Sequence, residues 1–228
     1  MTGRIKVLGT VLVIVGIGFV AAGGYTYMKT QEGANSLRAF SAAQAVKLSY
    51  NDKGQLVDGG DVAGGQAILD LLQKDWGYTV NAADLNPNDP VVNTASEYMV
   101  QMATIAHHTL DSTQTVTLPE DVTYQGKLYK AGEYQVPVDG RYFSQFDRLS
   151  PLDGPARAQA WSPLAHALIA ELGVGSVTAS TLQMGLGLAA LFAGLGATII
   201  LTGGGLIWAV RAPAKEKVPA LKPAPIPA

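Results

Sequence analysis

Val7–Met28, VLGTVLVIVGIGFVAAGGYTYM, runs for twenty-two residues without a charge and is bracketed by Lys6 and Lys29. About 20 apolar residues, rising 1.5 Å each, cross the hydrocarbon core of a bilayer, so this stretch reads as a first transmembrane helix. A cleavable signal peptide is the competing reading, because Arg4 and Lys6 precede the run and Ala21–Ala22–Gly23 offers small residues to a peptidase. The apolar core of such a peptide is about 7–15 residues, shorter than this one, which favours an uncleaved anchor. Tyr25 and Tyr27 fall where aromatic side chains mark a membrane interface.

A second charge-free stretch, Leu172–Val210, lies near the other end. Counting back from Arg211 places a span near Ala189–Val210, with Trp208 at its inner interface. Gly173–Gln183 contains Ser176, Thr178, Ser180, Thr181 and Gln183, too polar for lipid, and reads as a helix leading down into the span. Direction follows from the basic residues: Arg4 and Lys6 precede the first span, and Arg211, Lys215, Lys217 and Lys222 follow the second. By the positive-inside rule both termini are cytoplasmic. Between the spans, Lys29–Thr181 holds ten basic and seventeen acidic residues, a net charge of −7, and Glu216 is the one acid outside it.

These boundaries divide the chain into a cytoplasmic N-terminus (1–6), a first span (7–28), an extracytoplasmic domain (29–181), a second span with its outer extension (182–210) and a Pro-rich cytoplasmic tail (211–228). The absence of cysteine excludes a disulfide framework, a thiol nucleophile and thiolate metal ligation. A net charge of −2 excludes the basic footprint of a nucleic-acid binder. Ala190, Gly194, Thr198 and Thr202 share one face of the second span, and Gly18, Ala22 and Thr26 one face of the first. Small faces let helices approach closely in lipid. They are expected either to pack the two spans on each other or to be left for another membrane protein.

In the outer domain, Lys29–Lys47 continues the first helix with Leu37, Phe40, Ala43 and Val46 on one stripe. Leu48–Tyr50 and Gln55–Val57 read as a hairpin around Asn51–Gly54. Asp61 caps a helix reaching Trp76, with Ile68, Leu69, Leu72 and Trp76 on its apolar face. Thr94 and Glu97 form a capping box for a helix over Ala95–Leu110, with Tyr98, Met102, Ile105 and Thr109 on one side. Short strands follow at Thr115–Leu118, Val122–Tyr124, Lys127–Tyr129 and Glu133–Pro137. Pro155 opens a helix, Ser162–Pro163 restarts it, and Trp161, Leu164, Leu168 and Leu172 supply a buried stripe. The fold class is therefore an α+β membrane protein: two transmembrane helices and a mainly helical outer domain carrying a small antiparallel sheet.

Chemistry-bearing residues are few. His107 and His108 are adjacent, so on a helix they point about 100° apart and do not share one metal. His166, on a different helix, is the remaining histidine. The three stand as candidate metal ligands against a reading as structural or exposed residues. Asp84, Asn86 and Asn88 imitate the opening of a calcium loop, but Asp89 stands where the EF-hand pattern needs Gly and Ala95 where it needs Glu. A capped turn before a helix explains the same residues. Asp75–Tyr78 and Tyr142–Phe143 place aromatics beside carboxylates, as a pocket wall or as packing. No catalytic residue, cofactor site or nucleophile signature is called for.

Asp84–Pro90 running into Val92–Met99, with Gln101–Ala106, Val138–Tyr142, Gly154–Arg157 and Gln159–Trp161, resembles a family of two-span actinobacterial membrane proteins. Members are often labelled "aromatic ring-opening dioxygenase LigA-like". The resemblance spans nearly all of the chain except the tail, and it implies a bacterial plasma membrane protein. The label implies non-haem iron held by two histidines and a carboxylate; three histidines, two of them adjacent, and a two-span topology do not favour that set. The residues point instead to a non-catalytic accessory or scaffolding subunit of an envelope or respiratory complex. The alternatives are an extracytoplasmic ligand-binding sensor and a metal-dependent enzyme.

Overall fold

The computed structural model describes residues 2–211; most of the Pro-rich tail lies outside the described residues. The chain forms two compact units, Met1–Thr30 with Gly185–Ala228, and Gln31–Met184. Two helices take part in both: α1 (Thr2–Gln44) and α5 (Pro163–Ala209). Each is long and apolar enough to cross a membrane, and in each only 11% of the most apolar eighteen-residue window is buried. The core helix of a water-soluble domain would hide most of such a window.

In the first unit α1 and α5 run antiparallel and touch backbone to backbone. Gly9 meets Gly203, Gly16 meets Gly196 and Gly23 meets Ala189; a Cβ on Gly16 would stand 2.7 Å from the Gly196 carbonyl oxygen, and one on Gly196 2.6 Å from that of Gly16. Gly9, Gly16, Gly23 and Thr30 are buried, with Ile5, Leu12, Phe19 and Thr26 half-buried between them. This alternation of steps of four and three is the period of a left-handed coiled pair. Of the small residues read either as joining the spans or as left for another membrane protein, only Thr26 stands in this seam. Gly18 and Gly194 have open space where a Cβ would go, and Ala22, Ala190, Thr198 and Thr202 are exposed. The reason is geometric: a seam between two long helices recurs every seven residues, whereas a run of i, i+4 positions drifts around the cylinder.

The second unit has its own core. The helix α1 stops where Ala45 turns left-handed (φ 54°), a conformation costly enough for a non-glycine residue to end a helix. The expected hairpin forms as an isolated bridge, Tyr50 with Leu56, its turn held by the Asn51 side-chain oxygen accepting from the Lys53 and Gln55 amides. Asp61 caps α2 (Val62–Asp70) through the Ala63 amide at 3.0 Å, and a π turn, Leu71–Asp75, completes that helix. Helix α3 (Ala95–Leu110) starts at the Thr94–Glu97 capping box and runs through the core, burying Tyr98, Val100, Ala103 and Ala106 beside Ile68 and Leu72.

The antiparallel β part consists of two nested ribbons. The outer pairs β1 (Thr113–Leu118) with β4 (Gly132–Pro137), and the inner pairs β2 (Val122–Tyr124) with β3 (Lys127–Tyr129). Gln125 and Gly126, both at positive φ, close the inner turn, as a two-residue hairpin requires. Asp121 ties the ribbons together, accepting from the Ala131 amide at 2.8 Å and from Lys130 Nζ at 2.7 Å. A short helix α4 (Asp153–Ala160) precedes α5, and Ser162 Oγ accepts from the Ala165 amide at 3.2 Å to start α5. The stripe Trp161–Leu164–Leu168–Leu172 is not continuous: Leu164 is 69% exposed while Trp161 and Leu172 are buried. Trp161 closes α4 with ψ 55°, so a helical period carried across that break loses its phase.

Candidate functional site

The second unit contains an apolar cavity of about 700 Å³. Helices α1, α3 and α5 wall it: Leu37 and Phe40 from the first, Tyr98 and Ile105 from the second, Leu168 and Val174 from the third. The stripe read on the end of α1 thus lines a hollow rather than a packed core, and Phe40 is 50% exposed. Leu168, expected in a buried stripe, lines the same hollow.

Two contacts hold the walls. Ser41 Oγ and Tyr98 Oη lie 2.7 Å apart, both residues buried, so each hydroxyl satisfies the other in apolar surroundings. Ser176 Oγ donates to the Ala95 carbonyl at 3.2 Å, fixing α5 to the first turn of α3. Gly175 lets α5 close on the Tyr98 ring, because a Cβ there would fall 2.5 Å from a ring carbon. Glu171 is the one ionisable acid or base among the lining carboxylates, amines and imidazoles, with Gln44 and Gln101 as neutral polar neighbours. The cavity lining is almost wholly apolar.

The candidate metal ligands are dispersed. His108 Nε2 lies 2.7 Å from Asp58 Oδ2, a partly exposed pair. Its neighbour His107 lies next to it on α3 with ring centroids 6.0 Å apart. His166 stands edge-on to Phe143 at 5.2 Å and 5.9 Å from Trp161. Among the described residues no three of His, Asp and Glu are placed to hold a metal ion. Asp84 accepts from Asn81 Nδ2 at 2.9 Å and from the Ser96 amide at 3.4 Å, and Asn86 Oδ1 from the Asn88 amide at 3.0 Å. These oxygens brace the turn that delivers the chain to α3.

The aromatic segments do meet. Trp76 Nε1 donates to Tyr142 Oη at 2.7 Å, Tyr142 stacks on Trp161 at 5.7 Å, and Arg157 lies 4.3 Å over Phe143. They pack on one another. A second, more polar hollow beside β2 and β3 includes Asp147 and Asp153, whose charges are already engaged by Tyr124 at 2.8 Å and Arg141 at 3.0 Å. The Tyr124 hydroxyl holds the Asp147 carboxyl below the usual range.

Behind Tyr98, Glu97 is buried and its Oε2 accepts from the Asn93 and Thr94 amides and the Thr94 hydroxyl at 2.9–3.0 Å. Burial pushes its carboxyl up, against the pull of those donors. Burial also raises the Tyr50 phenol, with the Glu97 charge adding to it, and the Tyr50 hydroxyl has no hydrogen-bond partner among the described residues. No sequence signal marked the cavity; the nearest is Gly175, a helix-interior glycine with no turn to make. The chain matches no protein-family model, no curated protein and no solved structure.

Proposed function

We propose that this chain is a two-span protein of a bacterial plasma membrane, with both termini cytoplasmic and an acidic outer domain, acting without catalysis as an accessory or scaffolding subunit of an envelope or respiratory complex. The observation that carries this is the division of labour on the two apolar helices. One glycine face of each is consumed by the other, while the small-residue faces at Gly18 and Ala22 and at Ala190, Gly194 and Thr198 stay open. Open small faces on helices in lipid suit the close approach of a further helix.

The test is purification of the tagged full-length protein in mild detergent with mass spectrometry of what accompanies it. A stoichiometric membrane partner that is lost in Gly194→Leu, with the protein still folded, is the expected result. A lone protein, or a partner indifferent to leucine at both Gly194 and Gly18, would sink the reading. A reporter active only outside the cytoplasm checks orientation: it should work when inserted at Asn51 and fail at Ala228.

The cavity favours a second reading, an outer domain that binds a ligand. Its lining is almost wholly apolar and its volume of about 700 Å³ lies within the range of small-molecule sites.

A further inference from the structure

The hollow beside β2 and β3 is walled by side chains that both give and accept hydrogen bonds. Antiparallel pairing sets Tyr124 opposite Lys127 and Val122 opposite Tyr129, so these four side chains share one face of the ribbon. Tyr124, Lys127 and Tyr129 line the hollow from that face; Asp147, Ser150 and Asp153 line it from the loop that leads into α4 and from the first residue of that helix. Tyr124 Oη bridges the two walls by donating to Asp147 Oδ2 at 2.8 Å.

Much of the hydrogen-bonding capacity around this hollow is unspent. Asp153 Oδ2 accepts from Arg141 Nη1 at 3.0 Å and from the Asp147 amide at 3.4 Å, while Oδ1 has no donor among the described residues. Ser150 Oγ accepts from the Leu152 and Asp153 amides and keeps its own hydrogen to give. Gln125 donates through Nε2 to Tyr124 Oη at 3.0 Å, leaving its Oε1 to accept. Lys127 Nζ lies 4.8 Å over the Tyr129 ring, and neither that ammonium nor Tyr129 Oη has a hydrogen-bond partner among the described residues. The set therefore mixes donors (Lys127, Ser150), acceptors (Gln125, Asp153) and a phenol that does both.

Charge narrows the ligand. The Asp147 and Asp153 carboxylates on the wall are offset by Lys127 beside them and by Arg141 against Asp153. An anion meets two carboxylates and a cation meets Lys127, whereas a neutral ligand meets no net charge. A hydroxyl donates one hydrogen bond and accepts up to two, so several hydroxyls on one ring satisfy such a mixed set and replace the water that otherwise solvates it. The tyrosine rings and Leu152 supply carbon surface for the C–H groups of the same ring.

We propose that the hollow between the β2–β3 ribbon and residues 147–153 binds a neutral saccharide unit through its hydroxyl groups. Such a site lies wholly within the second unit and is independent of the apolar cavity and of any membrane partner.

The full-length protein, in lipid nanodiscs free of glycolipid and of sugar-based detergent, is mixed with glucose, galactose, mannose and N-acetylglucosamine. Saturation-transfer difference NMR then reads binding from the protein to the sugar protons. Transfer to the ring protons of at least one of these sugars is expected. Lys127→Ala combined with Tyr129→Phe should weaken that binding about tenfold, the loss of two hydrogen bonds of ordinary net strength. Lys127→Ala alone, at an exposed position, should produce part of the loss with the thermal melt unchanged, which guards against a folding defect. Lys74→Ala, a cation outside the hollow, should leave binding as it is. Comparing the sugar that binds with its own trisaccharide distinguishes a free sugar from one unit of a chain, and either result upholds the class of ligand. No transfer to any of the sugars, or transfer indifferent to both variants, overturns the proposal. So does tighter binding of glucuronate or glucosamine than of glucose, which would make the ligand ionic. Binding of N-acetyl-trialanine amide in preference to every sugar would put a peptide there and overturn it as well.

Discussion

The two units use the same pair of helices in opposite ways. At Gly9, Gly16 and Gly23, α1 closes directly on the backbone of α5. Between Leu37 and Gln44, side chains of α1 face those of α5 across an open cavity. Glycine is a poor helix former in water, by about 1 kcal/mol relative to alanine, so its recurrence every seven residues has to be repaid by packing. Apolar side chains such as Phe40 and Val174, conversely, are left half-covered where the helices part. Close approach and an open hollow are alternative uses of one helix pair, and the residue at each seam position decides which is made.

That contrast can be broken first at its tightest point. Gly16→Leu drives a side chain into the Gly196 backbone and should abolish the pairing of α1 with α5, lowering stability by more than the ~1–3 kcal/mol of ordinary overpacking. Gly18→Leu, with open space around it, should leave stability within ~0.5 kcal/mol. Reversible unfolding in mixed micelles compares the two; equal losses would mean that the seam is not at the observed glycines.

In the second unit the largest effect is expected from Glu97→Ala. It strips a buried acceptor from three donors and should cost about 2–3 kcal/mol, a lost cap plus unsatisfied groups. Glu97→Gln keeps an acceptor and should cost less, and it also removes a pH dependence. Because burial raises the Glu97 carboxyl above its ordinary value, the folded state holds that proton more tightly than the unfolded chain. Its contribution is fully present below the ordinary glutamate range and is lost as pH rises through the raised value. Asp70, Asp121 and Asp147 are shifted down and act in the opposite sense, so the measurement is the difference between wild type and Glu97→Gln in thermal melts across acid pH. A difference that does not change with pH would refute the raised value.

Next comes Ser41→Ala at the cavity wall. It leaves the buried Tyr98 hydroxyl without its partner and should cost about 1–2 kcal/mol in denaturant titration; Tyr98→Phe combined with Ser41→Ala should recover part of that. The smallest effect belongs to the partly exposed contact of Asp58 with His108. Asp58→Asn should change stability by no more than ~0.5–1 kcal/mol, and less in high salt.

Local chemistry was legible in the sequence and long-range placement was not. The Asp61 cap, the Thr94–Glu97 box and the Gln125–Gly126 turn each depend on a side chain or a φ angle within four residues, so their signals sit side by side in the chain. The glycine seam was harder. Gly9, Gly16 and Gly23 compete with Gly18 and Ala22 in the same twenty residues, and only the partner helix tells which face is used. Leu164 and Leu168 failed as a buried stripe because the Ser162–Pro163 break resets the helical phase. The cavity was invisible for a related reason: it is the space left by three helices distant in sequence, and its walls look like any core stripe. His107, His108 and His166 read as ligand candidates by type alone; in the structure His108 meets Asp58 and His166 lies against aromatic rings.

A seam that repeats every seven residues is also a ruler with identical graduations. Sliding α1 by one heptad along α5 would set Gly16 against Gly203 and Gly23 against Gly196, contacts almost as good as the native ones. What distinguishes the marks is the tilted pair of Phe19 and Phe192, with ring centroids 6.1 Å apart. After such a slip Phe19 would lie near Ile199 and Ile200, and Phe192 would face Thr26. The glycines supply closeness without address, and one pair of aromatic rings supplies the address.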